Sequence, residues 1–351
     1  MFNTWTWISW LVASLIAVST TRNPAYLILI FLCISLVNQD QRRKAKLGVD
    51  ESLRIFPIDP FRLSLFIILI SSLVNATLSH FGETVLFYLP IWIPYIGGAI
   101  TLEAIVYGAI NGLILSCIFS AFITINQALP VSNLIRLIPR AFHPVALVTS
   151  IAVTFVPVSL RQFNQIREAQ AVRGHQVRGL SSWLPLLLPL LIGGLERAFS
   201  LAEAMTARGF VSGQPVVSEL YTRLALAGGL FFTFAGWLLH LSGRGFVWGS
   251  VLMIIGLVAI LGTLWIVSRQ SLRTTYTRVS WSKRDLFVTG LSMMVAAAFL
   301  LPIPGIETNT LRYNPYPSLS LPPFDPLIGI LILGLLAPLL NPRPSDQVTQ
   351  L

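Results

Sequence analysis

The chain has 351 residues, of which 54% are hydrophobic and only 11% charged, with a mean hydropathy of +0.75. That balance excludes an ordinary soluble domain, in which about a quarter of residues are charged, and leaves a membrane protein. The net charge of +10 then marks cytoplasmic loops rather than nucleic-acid binding, since no base-stacking pattern accompanies it.

Residues 1–21 and 23–39 are two apolar runs separated by Arg22, Asn23 and Pro24, with no basic stretch ahead of the first. This reads as a helical hairpin and not as a cleaved signal. A first basic cluster follows at Arg42, Arg43, Lys44, Lys46 and Arg54, and then apolar runs at 63–82, 104–135 and 141–160. Most of these runs approach the roughly 20 residues that a bilayer-spanning helix needs. Between them, 84–102 contains Pro90, Pro94, Gly97 and Gly98, which predicts a kinked or re-entrant segment.

From Arg161 to Arg223 the character changes: seven arginines and four glutamates surround the apolar stretch WLPLLLPLLIGGL at 183–195. Thirteen residues holding Pro185 and Pro189 are too short and too broken for a comfortable span, so an amphipathic cytoplasmic unit is expected. Runs at 224–243 and 245–268 lead to a third basic cluster at Arg269, Arg273, Arg278, Lys283 and Arg284, and runs at 286–306 and 326–341 complete the chain. Stretches such as LIGILILGLL at 327–336 do not alternate, which argues against barrel strands.

The expected fold is an all-α polytopic membrane protein with about 8–10 transmembrane helices. All three basic clusters are assigned to the cytoplasm, so residues 62–161 must cross an even number of times, two or four. Three parts follow: an N-terminal transmembrane domain at 1–160, a cytoplasmic helical segment at 161–222, and C-terminal transmembrane helices with a short tail at 223–351. Cys33 and Cys117 both fall inside apolar runs and read as packing residues.

The segment 161–222 repeats one heptapeptide: EAQAVRG at Glu168–Gly174 and EAMTARG at Glu203–Gly209. In a helix, Ala169 and Arg173 lie on one face at i and i+4, as do Ala204 and Arg208. Gly174 and Gly209 follow where a helix favours a left-handed terminating residue, and arginine in the last turn complements the helix dipole. Capping alone does not require glutamate and alanine at the same offsets twice. A planar guanidinium suits bidentate carboxylate pairing at an interface, so the repeat predicts two equivalent receiving surfaces on a partner.

On these residues the chain resembles the T components of energy-coupling factor transporters. Asn23-Pro24, TLEAIVYGAINGL at 101–113 and RLIPRAFHP at 136–144 also look similar, and the resemblance covers roughly residues 1–215. It implies a scaffold in the cell membrane, plasma or inner, that joins two cytoplasmic ABC ATPase subunits to a small substrate-binding membrane subunit. By the same resemblance 161–222 holds coupling helices. Glu168, Ala169, Arg173 and Gly174, with Glu203, Ala204, Arg208 and Gly209, seat in the ATPases, and the cargo is a vitamin or a cobalt or nickel ion. A further pair, Arg178-Gly179, lacks the Glu-Ala prefix, so Arg173 is preferred. The hydrophobic chain after residue 223 is longer than the resemblance leads one to expect.

No phosphate-binding loop is present, since none of the three lysines, Lys44, Lys46 and Lys283, follows a glycine, so ATP hydrolysis is assigned to another chain. His80, His143, His175 and His240 are scattered singly, and no catalytic constellation, metal site or cofactor is expected. The alternative function is an independent secondary carrier, for which Glu103 is the ionisable candidate, with His80, Glu83 and His240 behind it.

Overall fold

The computed structural model describes residues 2–46, 60–79, 81–88, 98–138, 142–174, 183–209, 219–242, 246–270, 281–301 and 308–340. In chain order the elements are α1 (Thr4–Thr20), α2 (Pro24–Lys46), α3 (Pro60–Leu78), β1 (Val85–Tyr88), β2 (Ala99–Thr101), α4 (Leu102–Ala128) and α5 (Val131–Ile135). Then come α6 (His143–Val172), α7 (Leu184–Ala207), α8 (Glu219–Leu241), α9 (Phe246–Gln270), α10 (Lys283–Leu300) and α11 (Pro326–Leu333), which continues as a 3-10 turn over Gly334–Leu340. Among the described residues seven helices, α2, α3, α4, α6, α7, α8 and α9, are long and apolar enough to cross a membrane, and α1 and Pro326–Leu340 are shorter apolar helices. The protein is an all-α polytopic membrane protein, as its composition requires: inside lipid a helix satisfies its own backbone.

Two local expectations are corrected, and one boundary is located. The stretch 84–102 begins and ends as an antiparallel β-hairpin, Val85 opposite Thr101 and Tyr88 opposite Ala99, while Pro90, Pro94 and Gly97 lie outside the described residues. The boundary placed at 160–161 by composition falls within α6, which runs for 30 residues through Pro157 and Arg161, one internal proline removing a single hydrogen bond without ending the helix. Likewise 183–195 is not an isolated short piece but the start of α7, 24 residues long. Pro185 sits in its first turn, where no donor is needed, and Pro189 lies only one turn further on.

The chain divides into two compact units, Met1–Asn133 with Arg278–Leu351, and Leu134–Thr277. In the first, α1 packs on α4 and α10, α2 on α4 and α11, and α3 along α4. Serines knit α3 to α4: the Ser71 hydroxyl donates to Gly108 O at 2.9 Å and Ser72 to Ile105 O at 2.9 Å, the small-residue packing that joins helices where the hydrophobic effect gives no preference. Cys33 and Cys117 are buried in this core as free thiols.

The C-terminal part closes the same unit. Trp10 Nε1 donates to Leu335 O at 2.9 Å. Asn23, in the tight turn between α1 and α2, donates from Nδ2 to Thr310 O at 2.8 Å and Pro323 O at 2.6 Å while its Oδ1 accepts from Ala25 N and starts α2. At the other end Asp285 Oδ1 accepts from Asn3 N at 2.9 Å and the Thr6 hydroxyl at 3.3 Å, and Oδ2 from Ser282 N at 3.0 Å. A buried carboxylate between the positive ends of α1 and α10 is favoured by both dipoles. The two helices therefore begin on the same side.

In the second unit α6 packs with α7, and α8 with α9. The latter pair meets backbone to backbone: a Cβ on Gly236 would lie 2.7 Å from Gly249 O, and one on Gly256 2.6 Å from Gly229 O. Two glycines seven residues apart on each antiparallel helix remove the side chains from one stripe.

Candidate functional site

The repeated heptapeptides end α6 and α7, and the two ends are built alike. Arg173 terminates α6 with φ −78° and ψ 6°, and Arg208 terminates α7 with φ −87° and ψ 5°. Gly174 and Gly209 both have φ +78°, the left-handed conformation that lacks a Cβ penalty only for glycine. Gly174 N donates to Ala171 O and Gly209 N to Thr206 O, each at 2.9 Å. No heavy atom comes within 4 Å of a Cβ built on Gly174, so glycine is needed there for conformation and leaves that side open.

Glu168, Ala169, Arg173, Gly174, Glu203, Ala204, Arg208 and Gly209 are all exposed. Neither arginine nor either glutamate has a partner among the described residues. Exposed guanidinium groups on the last turn, beside alanines that let a surface approach closely, are equipped to receive carboxylates in the bidentate mode. Arg178, Gly179 and His175 lie outside the described residues.

The structure does not gather the two heptapeptides into one pocket. Phe163 stacks on Trp183 with centroids 6.3 Å apart, Arg197 donates to Gln162 Oε1 at 2.9 Å, and the Arg197 guanidinium lies 5.9 Å over the Phe155 ring. These contacts fall on the Phe155–Phe163 stretch of α6, so both Arg-Gly ends lie beyond the place where the two helices meet. At 1.5 Å per residue, Arg173 overhangs the Phe163 contact by about 15 Å and Arg208 overhangs the Arg197 contact by about 16 Å.

Sequence reasoning missed the clasp formed by Gln162 and Arg197. Its signal was an arginine inside an apolar helix, four residues after Gly193, where a Cβ would collide with Gln162 Nε2. The remaining face of this pair is apolar and uncovered: Val148, Leu160, Leu184, Leu188, Leu191 and Phe199 are all exposed.

Glu103 is fully buried in the first turn of α4. Its carboxylate accepts from Thr84 N at 3.1 Å and from the Thr84 hydroxyl, while Thr101 caps the helix through Ala104 N and donates to Phe81 O at 2.7 Å. These bonds fasten β1 to the start of α4. His240 stands in the last turn of α8, and His80 lies outside the described residues.

A family model described as CbiQ, cobalt transport protein, matches residues 3–218, a span that includes both Arg-Gly ends. The energy-coupling factor transporter transmembrane protein EcfT of Bacillus subtilis is 24% identical over 221 residues, covering 55% of this chain and 79% of that protein. The EcfT proteins of Leuconostoc gelidum and Listeria innocua are 41% and 35% identical over 71 and 85 residues, or 18% and 22% of this chain. These two shorter matches span 26% and 32% of the relatives' length. The family is one of transporter subunits that are not themselves catalysts. A matched span of more than half its length, ending just past the second Arg-Gly helix, shows that the chain belongs to the CbiQ family as a CbiQ/EcfT-like transmembrane T component.

Proposed function

We propose that this chain is the energy-coupling scaffold of an ATP-driven importer of the energy-coupling factor type. It connects two cytoplasmic ABC ATPase subunits to a separate small membrane subunit that binds the substrate. The observation that carries this reading is the pair of similarly built, exposed Arg-Gly ends, unpartnered among the described residues and borne on two separate helices, a duplication suited to two similar ATPases. Arg173 and Arg208 pair with carboxylates there, and Ala169, Ala204, Gly174 and Gly209 provide the close approach. ATP-driven closure of the ATPases then changes the separation of the two ends and moves α6 and α7 beneath the substrate-binding subunit. The cargo is a vitamin or a transition-metal ion, selected by that subunit.

Charge and packing together support eight crossings. The chain between α3 and α4 leaves and returns through a β-hairpin, so residues 60–128 supply two crossings. A third in α6 would put the arginine-rich segment outside, against the positive-inside rule. The crossings are then α1 to α4 and α8 to α11, with 1–160 and 223–351 contributing the membrane spans. In this reading 161–222 faces the cytoplasm, and α6 and α7 lie along the membrane with their apolar face against lipid and the substrate-binding subunit.

No observation favours the carrier reading, because the Glu103 carboxylate is engaged by Thr84 instead of facing a water path. The test is co-purification from gently solubilised membranes after co-expression with candidate ATPases. Stable capture of an ATPase chain is expected, and repeated failure to retain one overturns the proposal.

A further inference from the structure

We propose that the groove between α1 and α10 binds an anionic phospholipid of the cytoplasmic leaflet, one acyl chain in the groove and the phosphate at Lys283 and Arg284. The inference rests on the membrane topology proposed above but not on the coupling to ATPases. Tied at their starts through Asp285, the two helices leave between them an open apolar groove of about 700 Å³. Ile8, Val12 and Ile16 line one wall and Met293, Ala297 and Leu300 the other. From Trp5 to Ile16 the lining runs for about 16 Å along α1, which is the hydrocarbon depth of one leaflet in a core about 30 Å thick.

One end of the groove is chemically unlike the rest. Trp5 and Trp281 both line it and are 56% and 52% exposed, each with an indole N–H that has no partner among the described residues. Exposed tryptophans of this kind belong at headgroup depth. Directly after Trp281 come Lys283 and Arg284, both exposed and neither paired with an acid among the described residues. Asp285 beside them is buried and fully engaged by Asn3, Thr6 and Ser282. A purely apolar helix would fill the trough but leave two indole donors and two cations at one end without acceptors. A phosphodiester with ester carbonyls answers both, and its chain answers the trough.

The experiment is native mass spectrometry of the purified full chain titrated with palmitoyl-oleoyl phosphatidylglycerol or with phosphatidylcholine of the same chains. One phosphatidylglycerol per protein should be retained in preference to phosphatidylcholine. In the K283Q/R284Q double variant, phosphatidylglycerol should bind about 25-fold more weakly, each cation contributing about a fivefold factor, with phosphatidylcholine unchanged. Ala297→Phe, which fills the trough, should lose the preferred lipid. Wild-type phosphatidylglycerol affinity in the charge variant overturns the proposal. So does wild-type lipid binding by Ala297→Phe, including the case in which that variant instead loses a co-purifying membrane protein. Lys283 and Arg284 are exposed, so the charge variant decides the matter even where Ala297→Phe does not fold.

Discussion

Gly174 and Gly209 share one backbone state, φ +78°, each a single residue beyond the arginine that ends its helix. The repetition in the letters is therefore a repetition in geometry. Nothing in the described structure meets either guanidinium, so the duplicated feature faces outward.

Reversing charge at both positions, Arg173→Glu with Arg208→Glu, should abolish ATPase capture and uptake while expression, membrane insertion and thermal unfolding stay as in the wild type, because both side chains are exposed. Lysine at either position should restore only part of the activity: it keeps the charge but loses the two-pronged donor. The readouts are co-purified ATPase and substrate uptake in the same preparations.

Replacing Gly174 by alanine should destabilise the end of α6 by about 1 kcal/mol, the cost of a left-handed backbone for a residue with a Cβ. No neighbour would clash, so valine, stiffer at χ1, should cost more through conformation alone. Thermal unfolding in detergent measures the difference.

In the α8–α9 pair, Gly256→Leu should be strongly destabilising, by more than about 2 kcal/mol, because even its Cβ meets Gly229 O and Thr233 N at 2.6 Å. Gly262→Leu on the same helix has nothing within 4 Å of the added atom and should leave the melting temperature nearly unchanged. Equal shifts for both variants would contradict the backbone-to-backbone contact.

Asp285→Ala should lower the apparent melting temperature by the equivalent of about 3 kcal/mol, since Asn3 N, Ser282 N and the Thr6 hydroxyl lose a shared acceptor in a buried site. Glu103→Gln should reduce stability while leaving transport intact in whatever variant folds. Selective loss of transport without loss of stability would revive the carrier reading.

Much of the architecture was readable in the sequence because lipid imposes a simple rule: long apolar runs become helices, and α2, α3, α8 and α9 lie where hydropathy places them. The helix ends at Arg173 and Arg208 were readable because a glycine after a cationic last turn is a local signal. What escaped was set by distant partners. Asp285 and Asn3 are joined across most of the chain, and the glycines at 229, 236, 249 and 256 become meaningful only once two helices are laid antiparallel. The continuity of α7 through Pro189 escaped for a different reason, since local rules overweighted a proline that the surrounding helix tolerates.

The most direct measurement places a photo-crosslinking residue at Ala169 and, separately, at Ala204, each one turn before its arginine, in the chain co-expressed with its ATPases. The account predicts that both positions yield an adduct with an ATPase subunit, while Trp248 on α9, also exposed, yields none. Adducts to ATPase from Trp248 and from neither alanine would contradict it.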